Sequence, residues 1–185
     1  NVKQAKDATS VLLTVYEQSK RLPLPEPHAE ISGVRLTLSE AAQARLGGEP
    51  ATSFRRVIGP NDYFSLLAFL PPEDDRFDGV LQGLRMRAGA RGRCATMFGY
   101  GPRYLHSTGQ LHKGGANNGV FVIVVAEADE DLAIPDQPFA FSVLETAQAL
   151  GDFQSLDREE RRAMLVTLPK RDPELLRRVM LSILD

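Results

Sequence analysis

The chain has no tryptophan, one cysteine and three histidines. A single thiol, Cys94, cannot form an internal disulfide. That excludes the small disulfide-stapled scaffolds of secreted proteins and fits a reducing compartment. Cys94 lies inside an apolar run and is expected to be buried and inert. No apolar run approaches the roughly 18 residues of a membrane helix, and no secretory signal is evident. The expected location is therefore cytoplasmic, with no membrane partner. Net charge is −2 over 185 residues, which argues against a general nucleic-acid binder. Internal repeats and low-complexity tracts are absent. So is a phosphate loop or dinucleotide fingerprint, since Gly99 and Gly101 alone do not make one.

One further absence is local. Between Asp78 and Glu127 there is no Asp or Glu, yet the stretch holds Arg85, Arg87, Arg91, Arg93, Arg103 and Lys113. Six cations without an acid favour an anionic ligand. The competing reading pairs these cations with the acidic run Glu127, Asp129, Glu130 and Asp131 just downstream.

What is present reads as one globular domain. Apolar residues make up 43% and charged residues 25% of the chain, ordinary values for a folded protein of this size. Residues 1–27 are expected to form an N-terminal helix and a connector. The helix would span 2–19 with Ala5, Ala8, Leu12, Val15 and Ser19 on one face. Pro23, Pro25 and Pro27 then hold the chain extended. Residues 31–38 alternate as an edge strand or hairpin, and Ser39 caps a helix to Leu46 that Gly47-Gly48 stops. Residues 47–61 read as loop, with helical potential around Phe54–Val57.

Residues 57–170 form the expected α/β core. Tyr63–Leu70 is a continuous apolar run, as in a strand buried on both faces. A helix from Asp75 to about Arg87 turns Phe77, Val80, Leu81 and Leu84 inward. Strands at Arg93–Phe98 and Gly119–Val125 follow, parallel if the crossovers have the usual hand. After an acidic loop over 127–140, Phe141–Leu150 is helical and Gly151-Asp152 is expected to break it. Asp157 would cap a short polar helix at Arg158–Arg162, and Met164–Leu168 would be the last strand. Asp172-Pro173-Glu174 starts a C-terminal helix over 172–184. The fold class is α/β, a three-layer α/β/α arrangement with a small, mostly parallel sheet.

The chemistry concentrates in Phe98–Gly115, between two buried strands. Pro102 suits the first turn of a helix and Gly114-Gly115 its end. A helix from Arg103 to Lys113 puts Arg103, His106, Gln110 and Lys113 at i, i+3, i+7 and i+10, on one face. Ligands of open α/β sheets bind at the carboxyl ends of strands, beside such a turn. A helix facing water shows the same polar stripe, so the pattern alone leaves both readings open. Two of the three histidines, His106 and His112, fall in this stretch.

The segment Tyr100-Gly-Pro-Arg-Tyr-Leu-His-Ser-Thr-Gly-Gln-Leu-His-Lys-Gly-Gly115 closely resembles part of the phosphoglucose isomerase unit of bacterial bifunctional transaldolase/phosphoglucose isomerase proteins. The resemblance runs from about Tyr16 to Leu168. It includes Tyr16-Glu17, Arg21-Leu-Pro-Leu-Pro-Glu-Pro27, Gly59-Pro-Asn-Asp-Tyr63, Ile134-Pro135, Phe141-Ser-Val-Leu144 and Ala147-Gln-Ala-Leu-Gly-Asp152, in that order. It implies part of a sugar isomerase domain that interconverts glucose 6-phosphate and fructose 6-phosphate. The ring opens, and a proton then moves between C1 and C2 through an enediol, with no metal or organic cofactor.

By the resemblance, His106 and Glu145 are the catalytic candidates. His106 matches the ring-opening histidine, while Glu145 stands where the fusion family commonly has a lysine. Arg103, Ser107, Thr108, Gln110, His112 and Lys113 are the implied substrate-binding residues. His106 is expected at the concave end of the sheet near Arg103 or Lys113, outside the core. Better known isomerases carry the carbon base in a Trp-Gly-Glu turn, and Phe98-Gly99-Tyr100 has no acid there. The family's phosphate-binding Ser/Thr cluster would lie upstream of Asn1, so the chain is expected to be a piece of a longer protein. The implied partners are a sugar phosphate, an upstream sugar isomerase subdomain or transaldolase barrel, and a second copy in a homodimer. The alternative is a non-catalytic sugar-phosphate-binding or structural module.

Overall fold

Central strands buried on both faces divide this molecule into layers. The computed structural model describes residues 2–72, 75–128 and 130–185, with side chains from residue 6 onward. Its elements in order are α1 (Val2–Ser19), β1 (Ala29–Ile31), β2 (Val34–Leu38), α2 (Glu40–Leu46), a 3-10 segment (Ala51–Val57) and β3 (Tyr63–Phe69). Then come α3 (Asp75–Gly92), β4 (Ala95–Tyr100), a second 3-10 turn (Arg103–His106), α4 (Thr108–Gly114) and β5 (Gly119–Ala126). The chain ends with α5 (Phe141–Arg158), β6 (Arg162–Leu168) and α6 (Pro173–Leu184).

The six strands form one sheet in the order β1-β2-β6-β5-β3-β4. β3 pairs parallel with both β4 and β5, and β5 pairs parallel with β6. The β1–β2 hairpin adds antiparallel to β6. Phe64, Leu66, Val120, Val122 and Val124 face a core completed by α2, α3 and α6. Leu67, Phe69, Phe121, Ile123 and Val125 face a second core under α1 and α5. The expected three-layer α/β/α fold is therefore observed. Because β3 leads into α3 on one face and β5 into α5 on the other, the strand order reverses between them. A crevice at such a reversal opens at the carboxyl ends of the strands.

Several local expectations are refined. Ser39 caps α2 by accepting from the Ala42 N–H, at 3.2 Å, and Gly47 ends it with φ +60°. Asp172 caps α6 by accepting from the Leu175 N–H, at 2.9 Å. On α1, Ala8 and Leu12 are buried, but Val15 and Ser19 are exposed. Ala5 lies outside the described side chains. The expected break at Gly151-Asp152 does not occur: α5 runs unbroken to Arg158. Gly151 instead lets α1 approach, since a Cβ there would lie 3.2 Å from the Thr9 backbone nitrogen. No separate helix forms at 158–162. Asp157 serves another element, accepting the Glu40 N–H at 2.7 Å at the start of α2. Among the described residues no helix is long and apolar enough to cross a membrane.

Candidate functional site

The path after β4 decides which polar side chains reach solvent. At Gly101 an added Cβ would sit 2.4 Å from Phe69 Cε1, and at Gly99 it would sit 2.8 Å from Tyr104 Cβ. The two glycines therefore serve a close backbone approach, which lets the chain fold back over the sheet. Tyr104 is buried there, its ring edge-on to Phe69 at 5.9 Å, and its hydroxyl donates to Asp152. That anchor holds Arg103–His106 as a 3-10 turn. Ser107, at φ −124° and ψ −76°, separates the turn from α4.

The expected single helix from Arg103 to Lys113 is thus corrected, and with it the common face. Arg103, His106, Ser107 and Gln110 are exposed and Thr108 is half-buried, whereas His112 and Lys113 turn into the core. The resemblance implied substrate contact for both of these buried residues. Lys113 is 5% exposed and its ammonium pairs with Asp152, which is 1% exposed. Arg161 donates to the carbonyl of Lys113 and, at 2.9 Å, to that of Gly115. The His112 ring lies 5.0 Å from Phe121, 6.0 Å from Tyr104 and 6.1 Å from Tyr63, and neither ring nitrogen has a hydrogen-bond partner. Burial holds its pKa down at about 4, with Asp152 opposing and Lys113 reinforcing the shift. His112 is neutral at pH 7. Burial and the Asp152 charge push the Tyr104 hydroxyl well above the usual phenol range.

His106 stays outside the core at the carboxyl end of the sheet. With Pro102 and Leu105 it lines a pocket of about 330 Å³ closed by Lys6, Ser10 and Leu13 of α1 and by Leu144 and Gln148 of α5. Glu145 lines an adjoining pocket of about 380 Å³ with Asp131, Phe141 and Arg171. The two pockets share Pro102, Leu144 and Gln148. Arg171 pairs with Glu145 at 3.3 Å. Burial raises the Glu145 pKa, opposed by the Arg171 charge and hydrogen bond. A carboxylate so placed is suited to proton transfer, beside a guanidinium that can stabilise negative charge.

The acid-free block does not form one electrostatic surface. Arg87 grips Asp185 with two bonds of 2.5–2.6 Å, and Arg91 approaches the same carboxylate at 3.4 Å. These arginines sit on α3, in the layer opposite His106. Their acid is at the chain end rather than in the 127–131 run, of which Asp129 lies outside the described residues. Sequence reasoning missed Arg171, Asp152, Tyr104 and Arg161. Arg171 carried a signal, because a cation directly after a buried strand falls at the strand's carboxyl end. Asp152 carried none, because a Gly-Asp pair reads as a helix stop.

No family model and no curated protein matches this chain. Its fold is similar to that of the hypothetical protein TT0462 from Thermus thermophilus. The TM-score is 0.55 at 16% identity, over 66% of this chain and 34% of that one. The matched part therefore spans about a third of the length of that protein. The likeness concerns the α/β fold alone.

Proposed function

We propose that the chain is the C-terminal segment of a phosphoglucose isomerase unit, interconverting glucose 6-phosphate and fructose 6-phosphate within a larger transaldolase/isomerase protein. The observation that carries this reading is that His106 and Glu145 line adjoining pockets, which share Pro102, Leu144 and Gln148, at the carboxyl end of the sheet. The positions between them contain a strand and most of a crossover, so their convergence is a property of the fold. In this reading His106 exchanges a proton with the ring oxygen during opening. Glu145 is the candidate for moving the proton between C1 and C2, and Arg171 balances charge on the enediolate. Arg103, Ser107, Thr108 and Gln110 form the accessible polar rim. The phosphate site belongs to the upstream subdomain, and the reaction takes place in the cytoplasm.

In the full-length protein, His106→Ala should lower turnover by roughly 100- to 10,000-fold, the range for losing one acid/base group. The thermal midpoint should barely move, because an exposed side chain contributes little to packing. A large drop in melting temperature, with activity following the folded fraction, would overturn the assignment. The Glu145–Arg171 ion pair favours a second reading, a non-catalytic sugar-phosphate-binding module in which the carboxylate is already engaged. Binding of fructose 6-phosphate by the full-length wild-type protein without any turnover would select it.

A further inference from the structure

A third pocket, of about 470 Å³, opens where the end of α1 meets the carboxyl ends of β5 and β6 and the first turns of α5. It shares Ser142 with the Glu145 pocket, and no wall residue with the His106 pocket. Its wall includes Lys20 and Arg21, the two residues after α1, with Thr146 of α5 and Thr167 of β6. Leu24 and Val143 supply apolar wall, and Glu127 contributes a single acid.

The cations are placed by a built turn. The Ser19 hydroxyl shares its one proton between the carbonyls of Val15 and Arg21, at 2.9 and 2.8 Å, and accepts the Arg21 N–H at 3.3 Å. Lys20 between them has φ +54°, and its ammonium lies over the Tyr16 ring at 5.9 Å. The Arg21 guanidinium has no acidic partner among the described residues, in contrast to Arg87, Arg91, Arg162 and Arg171. The Thr146 and Thr167 hydroxyls likewise have no protein hydrogen-bond partner among the described residues. Two cations and two open hydroxyls around a half-apolar cavity match a tetrahedral anion carrying a small carbon body.

We propose that this pocket binds a phosphate monoester, with Lys20, Arg21, Thr146 and Thr167 holding the phosphate and Leu24 and Val143 covering the carbon body. The site is separate from the one assigned to isomerisation, and its occupancy does not depend on that chemistry.

The test is calorimetric titration of the 185-residue chain with glycerol 3-phosphate, inorganic phosphate, acetate and glycerol. Glycerol 3-phosphate should bind most tightly, and added salt should weaken it because the cations are exposed. Arg21→Gln and the double variant Thr146→Val/Thr167→Val should each weaken binding about tenfold or more, as expected for hydrogen bonds to a charged group. Circular dichroism confirms that both variants remain folded. His106→Ala should leave the affinity unchanged, which separates failure here from failure of the isomerase reading. No phosphate binding at millimolar concentration, equal binding of glycerol or acetate, or unchanged affinity in both folded variants overturns the proposal. Inorganic phosphate binding as tightly as the monoester would overturn the assignment of Leu24 and Val143.

Discussion

His112 makes the stability of this domain depend on pH in a way that one substitution can remove. Its ring is 2% exposed among three aromatic rings, with both nitrogens unbonded and its pKa lowered to about 4. In the unfolded chain the pKa returns to about 6.5. Between these values the unfolded state binds one more proton than the native state, so stability rises with pH. The slope is about 1.4 kcal/mol per pH unit for this one group. The contribution is fully present above pH 6.5, is lost as pH falls toward 4, and levels off below that. The total comes to about 3 kcal/mol, from a shift of about 2.5 units. His112→Leu replaces the ring with an apolar side chain of similar volume and strands no hydrogen bond. It should be within about 1 kcal/mol of wild type at pH 7. Urea unfolding of both proteins at pH 7, 6, 5 and 4 measures the difference, and comparing the two cancels the carboxylates they share. The variant should gain on wild type by about 3 kcal/mol between pH 7 and pH 4. A constant difference across that range would refute the argument. So would a loss of several kcal/mol at pH 7, which would mean that the imidazole makes a polar interaction essential to the core.

The buried cluster beside it gives a second expectation. Asp152→Ala strands the Lys113 ammonium and the Tyr104 hydroxyl and should cost about 3–5 kcal/mol. Adding Lys113→Met should recover at least half of that in the same denaturation assay, and an unaffected single variant would contradict the burial. Ser39 serves three backbone groups, accepting from the N–H of Ala42 and Ala163 and donating to the Arg161 carbonyl. Ser39→Ala should therefore cost roughly 2–4 kcal/mol, above the usual loss of about 1 kcal/mol for a cap alone. The isolated 185-residue chain should show no isomerase turnover, because the phosphate site of the isomerase reading is assigned to the upstream subdomain. Robust conversion of fructose 6-phosphate by the purified chain would show that site to be misplaced.

Much of the fold was written in local pattern. The apolar runs at 63–70 and 119–125 announced strands buried on both faces, because a strand with no polar alternation has no side to give to water. Ser39, Gly47 and Asp172 marked helix ends because capping is a matter of a few consecutive residues. The same locality explains the failures. Gly151 reads as a break unless the backbone of α1 lies against it, and Asp157 reads as a cap for its own segment unless α2 begins beside it. In Arg103–Lys113 the helical spacing was sound arithmetic for a continuous helix. The anchor of Tyr104 on Asp152, 48 residues away, splits the segment and sends His112 and Lys113 inward. Sequence alone thus determined the strands, the caps and the class of the fold. Which of the polar residues face solvent, and that the His106 pocket adjoins the one lined by Glu145 and Arg171, was decided by tertiary structure. Burial and pairing depend on what packs against a residue, and those neighbours come from distant parts of the chain.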